Sequence, residues 1–167
     1  MTTPRFLGLA GLVWSFAALR VFAPALVPVD RHDAQPHVYL PATPIQLAAA
    51  TLRFAESFDA AQVGFAGITP PEVLAWRIIL QNPHRDSIFT TILSDASRPG
   101  QLYALAGLYF TDRAAYYRAA RDQRRRGGDI SSTIGCIGAQ RSVTSIIEEM
   151  DKGWWTQEFL AGRLIHH

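Results

Sequence analysis

From Thr43 to Gly153 the sequence is broken at short intervals by proline, glycine and capping residues. Each apolar-periodic stretch between the breaks is roughly three to four helical turns long. A chain punctuated in this way has room for short helices joined by tight turns, and for little else. Thr43-Pro44 reads as an N-cap followed by proline at the first helical position. Ile45, Leu47, Ala48, Leu52, Ala55 and Phe58 then form a helical stripe to about Phe58. Thr69-Pro70-Pro71-Glu72 repeats the start signal, with the spacing of a capping box, and predicts a helix through Leu80 to Asn82-Pro83. A third helix is expected over Arg85–Ser94, ended by the Pro99-Gly100 break. A fourth, Gln101–Phe110, intersperses Leu102, Leu105 and Leu108 with Ala104, Ala106 and Gly107. Small residues let neighbours approach closely, so this is the helix expected to be most buried. Thr111-Asp112 caps a fifth, Arg113–Arg126, which Gly127-Gly128 ends.

Asp129–Gln140 carries few helix signals and reads as an irregular or strand-like connector. A sixth helix follows from Ser142 or Thr144 to Met150. A last short one lies in Trp154–Ile165, with Trp155, Phe159 and Leu160 inward. The expected fold class is all-α: a compact stack of about five to seven short α-hairpin helices, preceded by an N-terminal transmembrane or signal helix.

That N-terminal segment is apolar. Phe6–Leu19 holds no charge, Arg20 interrupts, and apolar character resumes to Val29. Read as a signal peptide, Arg5 begins it and Ala23-Pro24-Ala25 supplies an A-x-A-like cleavage site. Read as an uncleaved anchor, Phe6–Ala23 is near the lower length limit for spanning a bilayer, with Arg20 close enough to its end to snorkel. A buried core helix is the third reading. Arg5 precedes the segment, whereas Arg31 after it is offset by Asp30 and Asp33. The positive-inside rule therefore favours a cytoplasmic N-terminus and an exported domain. Pro24, Pro28, Pro36, Pro41 and Pro44 make the following stretch extended, a semi-stiff tether. The expected organisation is thus 1–25 as anchor or signal peptide, 26–43 as proline-rich tether and 44–167 as helical exported domain.

Residues able to carry chemistry are few. Cys136, the sole cysteine, cannot form an internal disulfide. It sits between Gly135 and Ile137, where a reactive thiol is conceivable and a small buried hydrophobe is the plainer reading. Arg118, Arg121, Arg124, Arg125 and Arg126 give the fifth helix a basic face and C-terminus. These either complement the helix dipole or contact an acidic partner or anionic headgroups. Trp154 and Trp155 are adjacent on a helix and cannot both point inward, so one is expected to be exposed or covered by a partner. The net charge of +2 is too small for a typical nucleic-acid binder. His32 and His37 match no metal-ligand spacing, and no cofactor is expected. The sequence carries no phosphate loop, haem-attachment site, HExxH or G-x-S-x-G motif, so no enzyme activity is expected.

The segment Pro99–Tyr109, with Asp112 and Gly135-Cys136-Ile137, resembles a pattern in small exported bacterial proteins of unknown function. Their bodies are short HEAT-like helical stacks. The likeness spans about the middle half of the chain. It implies a packing role for Leu102, Tyr103, Leu105, Gly107 and Leu108, and it brings no activity. Together these readings lead to the expectation of a bacterial inner-membrane accessory subunit whose periplasmic domain binds a larger membrane complex, a respiratory or photosynthetic assembly being one possible host. The competing expectation is a free periplasmic binding module, or a cysteine-dependent enzyme, released by cleavage near Ala25.

Overall fold

The computed structural model describes residues 42–161. The apolar N-terminal segment, the proline tether up to residue 41 and the tail after residue 161 lie outside the described residues. Among the described residues are seven helices and one β-hairpin, in the order α1 Pro44–Arg53, α2 Pro71–Leu80, α3 Arg85–Asp95, α4 Arg98–Thr111, α5 Arg113–Arg126, β1 Asp129–Ile134, β2 Ile137–Ser142, α6 Val143–Asp151 and α7 Trp154–Ala161. No helix among them is long and apolar enough to cross a membrane.

Local chemistry sets most of the helix starts. Thr43 and Gln46 form a full capping box: the Thr43 hydroxyl accepts from the Gln46 N–H, and the Thr43 N–H donates to Gln46 Oε1. Asp112 accepts from the Ala115 N–H at 2.9 Å and starts α5, while Ser142 accepts from the Ser145 N–H and starts α6. Gly127, at φ 56°, ends α5 in the left-handed region that a side chain would resist.

Two start signals work differently from expectation. At α2 the cap is Pro70, with no side-chain hydrogen bond, and Glu72 falls at the second helical position, one short of a capping box. Pro99-Gly100 does not separate two helices; both residues lie in the first turn of α4, which Ser97 caps. Proline is tolerated there because first-turn N–H groups have no intrahelical partner. The glycine is required by a neighbour: a Cβ at position 100 would stand 2.1 Å from the Leu52 carbonyl oxygen.

That close approach also explains why α1 stops at Arg53 and does not reach Phe58. Ser97 crosses the end of α1, donating its N–H to the Arg53 carbonyl at 2.9 Å and its hydroxyl to the Ala55 carbonyl at 2.6 Å. The chain leaves the helix and runs buried from Phe58 to Ala61. There it lies along β1, with Phe58 N–H donating to Ser131 O and Ala60 N–H to Thr133 O.

The connector at 129–140 is the main departure from an all-α fold. It is an antiparallel hairpin, with Asp129 opposite Ser142 and Ile134 opposite Ile137. Its two-residue turn, Gly135-Cys136, has the glycine at φ 57°, as the primed hairpin turns need. Ile130 and Ser132 alternate inward and are buried, a period of two that a helix would not give.

α4 is the axis of the body. Every residue from Pro99 to Leu108 is buried. α1, α2, α3, α5, α7 and β1 all pack against it. At Gly107 a Cβ would meet the Phe89 ring of α3 at 2.5 Å. On another side Tyr103 enters an aromatic cluster. Phe58 lies 4.7 Å from Tyr103, 4.4 Å from Trp155 and 5.6 Å from Phe159, and Trp76 lies 5.2 Å from Phe159. Fully burying such a ring contributes about 1.5–3 kcal/mol.

One buried carboxylate ties the cluster to the hairpin. Asp59 Oδ1 accepts from the Thr133 N–H at 2.6 Å and Oδ2 from the Ser57 hydroxyl, while the Asp59 N–H donates to the Tyr103 hydroxyl oxygen at 2.9 Å. Burial pushes the Tyr103 phenol well above its ordinary value, so it stays neutral there.

Because the Leu52 carbonyl is fixed backbone, Gly100→Ala is expected to lower the free energy of unfolding by about 2 kcal/mol or more. At Gly138 a Cβ would meet nothing nearer than Thr133 Oγ1 at 3.8 Å, and Gly138→Ala should change it by about 0.5 kcal/mol or less. Chemical denaturation of the full chain compares the two.

Candidate functional site

α5 carries the arginines that the sequence singles out, and the fold sorts them into three groups. Arg124 and Arg125 are already neutralised. Arg124 pairs with Asp151 of α6, whose other oxygen accepts from the Tyr116 hydroxyl at 2.7 Å. Burial, reinforced by that carboxylate, raises the Tyr116 pKa well above its ordinary value. Arg125 pairs with Asp122, one turn back, at 2.5 Å. Arg121 is exposed and has no ion pair among the described residues.

Arg118 and Arg126 differ from these. Spaced two turns apart, they share one face of α5 and line a groove of about 480 Å³ against α3. Leu93, Leu108, Ala115 and Ala119 supply its apolar lining, and Thr90 and Ser94 its hydroxyls on the α3 side. Asp122 also lines the groove, with its charge spent on Arg125.

Behind this groove is a polar network. Gln101, in the buried first half of α4, cannot face water. Its Oε1 accepts from Gln123 Nε2 at 2.8 Å and from Arg126 Nη1 at 3.2 Å, and its Nε2 donates to the Ala96 carbonyl at 2.8 Å. Gln123 Oε1 accepts in turn from Arg98 Nη1 at 2.6 Å, and Arg98 Nη2 donates to the Gly127 carbonyl at the C-terminal end of α5. The Arg98 pKa is lowered, first by burial and then by the charge of Arg126. No carboxylate pairs with Arg98, Arg118 or Arg126 among the described residues. Part of this positive charge complements the helix terminus. The remainder faces the groove without an ion-pair partner among the described residues, an arrangement that can hold an anionic group next to an apolar one.

Arg98, Gln101 and Gln123 escape a reading by sequence. Arg98 stands beside what looks like a helix break, and the two glutamines carry no motif. The one available signal is Gln101 itself, an amide at the head of an otherwise apolar helix.

The other sequence candidates are scattered. Trp155, expected as a contact candidate, is fully buried in the core and donates its indole N–H to Glu149 Oε2 at 2.8 Å. Trp154 stands edge-on to it at 4.7 Å and is half-buried. Cys136 is exposed at the hairpin turn, contrary to the expectation of a buried thiol; the turn is held through its other residue, Gly135, whose carbonyl accepts from the Gly64 N–H at 2.8 Å. No cluster of His, Cys, Asp and Glu suited to a metal occurs among the described residues.

Replacing Gln123 by leucine would remove one hydrogen bond from Gln101 Oε1 and the partner of Arg98 Nη1. Gln123→Leu is expected to cost about 1–3 kcal/mol in denaturation, whereas a cost near zero would mean that the amide network is dispensable. Comparison of the chain with models of protein families, with curated proteins and with solved structures found no match.

Proposed function

We propose that the chain is an accessory subunit, anchored by residues 1–25 and set off by a proline-rich tether at 26–43, whose helical domain binds a protein of a larger membrane complex. The observation that carries the reading is the groove on α3 and α5: guanidinium groups with no ion pair among the described residues beside an aliphatic floor, the acid in the lining, Asp122, being paired with Arg125. An acidic, amphipathic segment of a partner complements both features, its carboxylates meeting Arg118 and Arg126 and its apolar side chains covering Leu93 and Ala119. Arginine suits this role because its planar fork binds carboxylates through two hydrogen bonds at once. Nucleic acid fits less well, since stacking platforms are aromatic and this floor is aliphatic. Cleavage after Ala25 would leave the same groove on a free periplasmic domain, and the intact mass of the native protein separates the two cases.

The test uses the full chain extracted in mild detergent, with a fluorescent glutamate- and leucine-rich helical peptide as probe. Binding is expected to weaken at least about tenfold in the Arg118→Glu/Arg126→Glu double variant, a loss of the size that close charge pairs at an interface produce. It should also weaken steeply with added salt. Lys152→Glu, outside the groove, should leave it unchanged. Equal binding by all three proteins, or binding indifferent to salt, would overturn the proposal.

A further inference from the structure

The hairpin presents a second, separate feature. Ser132, Ile134, Ile137, Ala139 and Arg141 share one of its faces and line a cleft of about 340 Å³. The cleft is apolar at its lip, where Ile137 is 73% exposed. Deeper in lie two polar atoms without hydrogen-bond partners among the described residues. Ser132 is only 2% exposed, and its hydroxyl oxygen has no hydrogen bond. Arg141 Nη1 is likewise buried and unpartnered. A native core rarely leaves two donors of this kind unsatisfied in the lining of one cleft, because each costs about 1–3 kcal/mol.

The charge on Arg141 is nevertheless already matched. Its Nη2 donates to Glu149 Oε1, and the other Glu149 oxygen takes the Trp155 indole N–H. The two free donors therefore call for a neutral acceptor, and an anion would meet Glu149.

Next to the cleft runs an unpaired strand edge. On β1 the backbone groups of Ser131 and Thr133 turn away from β2, toward Phe58, Asp59 and Ala60. The antiparallel register then turns Gly138 and Gln140 of β2 away from β1. Both residues are exposed, and their backbone groups have no hydrogen-bond partners among the described residues. A strand added there would lie about 4.8 Å from β2. Its residue opposite Ala139 would project over that small side chain toward Ser132 and Arg141.

We propose that the β2 edge and its cleft form a docking site for an extended peptide segment of a partner protein, which pairs with Gly138 and Gln140 and seats a carboxamide side chain, glutamine or asparagine, against Ser132 and Arg141. Main-chain pairing supplies affinity and the cleft supplies selectivity. The site is distinct from the groove on α3 and α5 and does not depend on it.

The probe is a capped pentapeptide, valine–threonine–glutamine–threonine–valine, titrated into the isotope-labelled full chain in mild detergent and followed by amide NMR. Saturable shifts at Gly138, Gln140, Ser132 and Arg141, with slowed hydrogen exchange at Gly138 and Gln140, are expected. Leucine or glutamate in place of the central glutamine should weaken binding at least about fivefold, as the loss of a hydrogen-bonded acceptor predicts. Ser132→Ala should narrow that preference while leaving the fold intact. A peptide methylated on the backbone nitrogens that face β2 should not bind, and this arm leaves the protein unaltered. The proposal is overturned if millimolar peptide moves none of these resonances, if the methylated peptide binds equally well, or if leucine replaces glutamine without loss. Shifts produced by detergent or lipid alone at the same residues would instead assign the cleft to an acyl chain.

Discussion

The burial of α4 is the constraint on which the rest of the structure depends. From Pro99 to Leu108 the helix shows no face to solvent, so other elements must cover each of its sides. The sequence permits this by placing glycine where approach is closest, at Gly100 beneath the end of α1 and at Gly107 against Phe89. Tight packing of this kind is unforgiving, because an added methyl group has nowhere to go.

Burying a whole helix also buries its polar atoms, and here that requirement meets the candidate site. Gln101 lies in the first turn of α4 and needs partners that water cannot supply. The C-terminal end of α5 supplies them through Gln123 and Arg126, and Arg98 reaches across to the Gly127 carbonyl. The interactions that settle the head of α4 thus fasten the arginine-rich end of α5 in place, which sets Arg126 and Arg118 along the groove. A second polar anchor acts in the same way on the opposite side. Tyr103 receives the Asp59 N–H, and Asp59 receives the Thr133 N–H, so α4, the extended 58–61 segment and the hairpin are held by one carboxylate and one phenol.

Much of the helical framework is legible in the sequence because the signals are local. Thr43, Asp112, Gly127 and Ser142 act at positions their chemistry dictates, and the alanine- and glycine-spaced helix is the most buried. The parts that escape are those decided by distant neighbours. Pro99-Gly100 has the composition of a break yet begins a helix, because Ser97 caps it and Leu52 demands the glycine. The hairpin is weakly marked: Asp129–Ile134 carries serine and threonine at half its positions, and Ser142 both closes β2 and caps α6. Arg124 and Arg125 look like free charges in the sequence, whereas Asp151 and Asp122 have claimed them. Arg98, unremarkable in the sequence, takes part in the site because α4 carries it under α5.

On the proposed reading the functional weight passes from a count of arginines to the few that lack an ion pair among the described residues. The measurement that tests this most directly is photo-crosslinking in native membranes from a reactive side chain placed at Ser94, on the α3 wall of the groove. The account predicts a discrete protein adduct that disappears when Arg118 and Arg126 are both reversed to glutamate, and that free polyglutamate suppresses. An adduct that survives both treatments, or crosslinks to lipid alone, would contradict it.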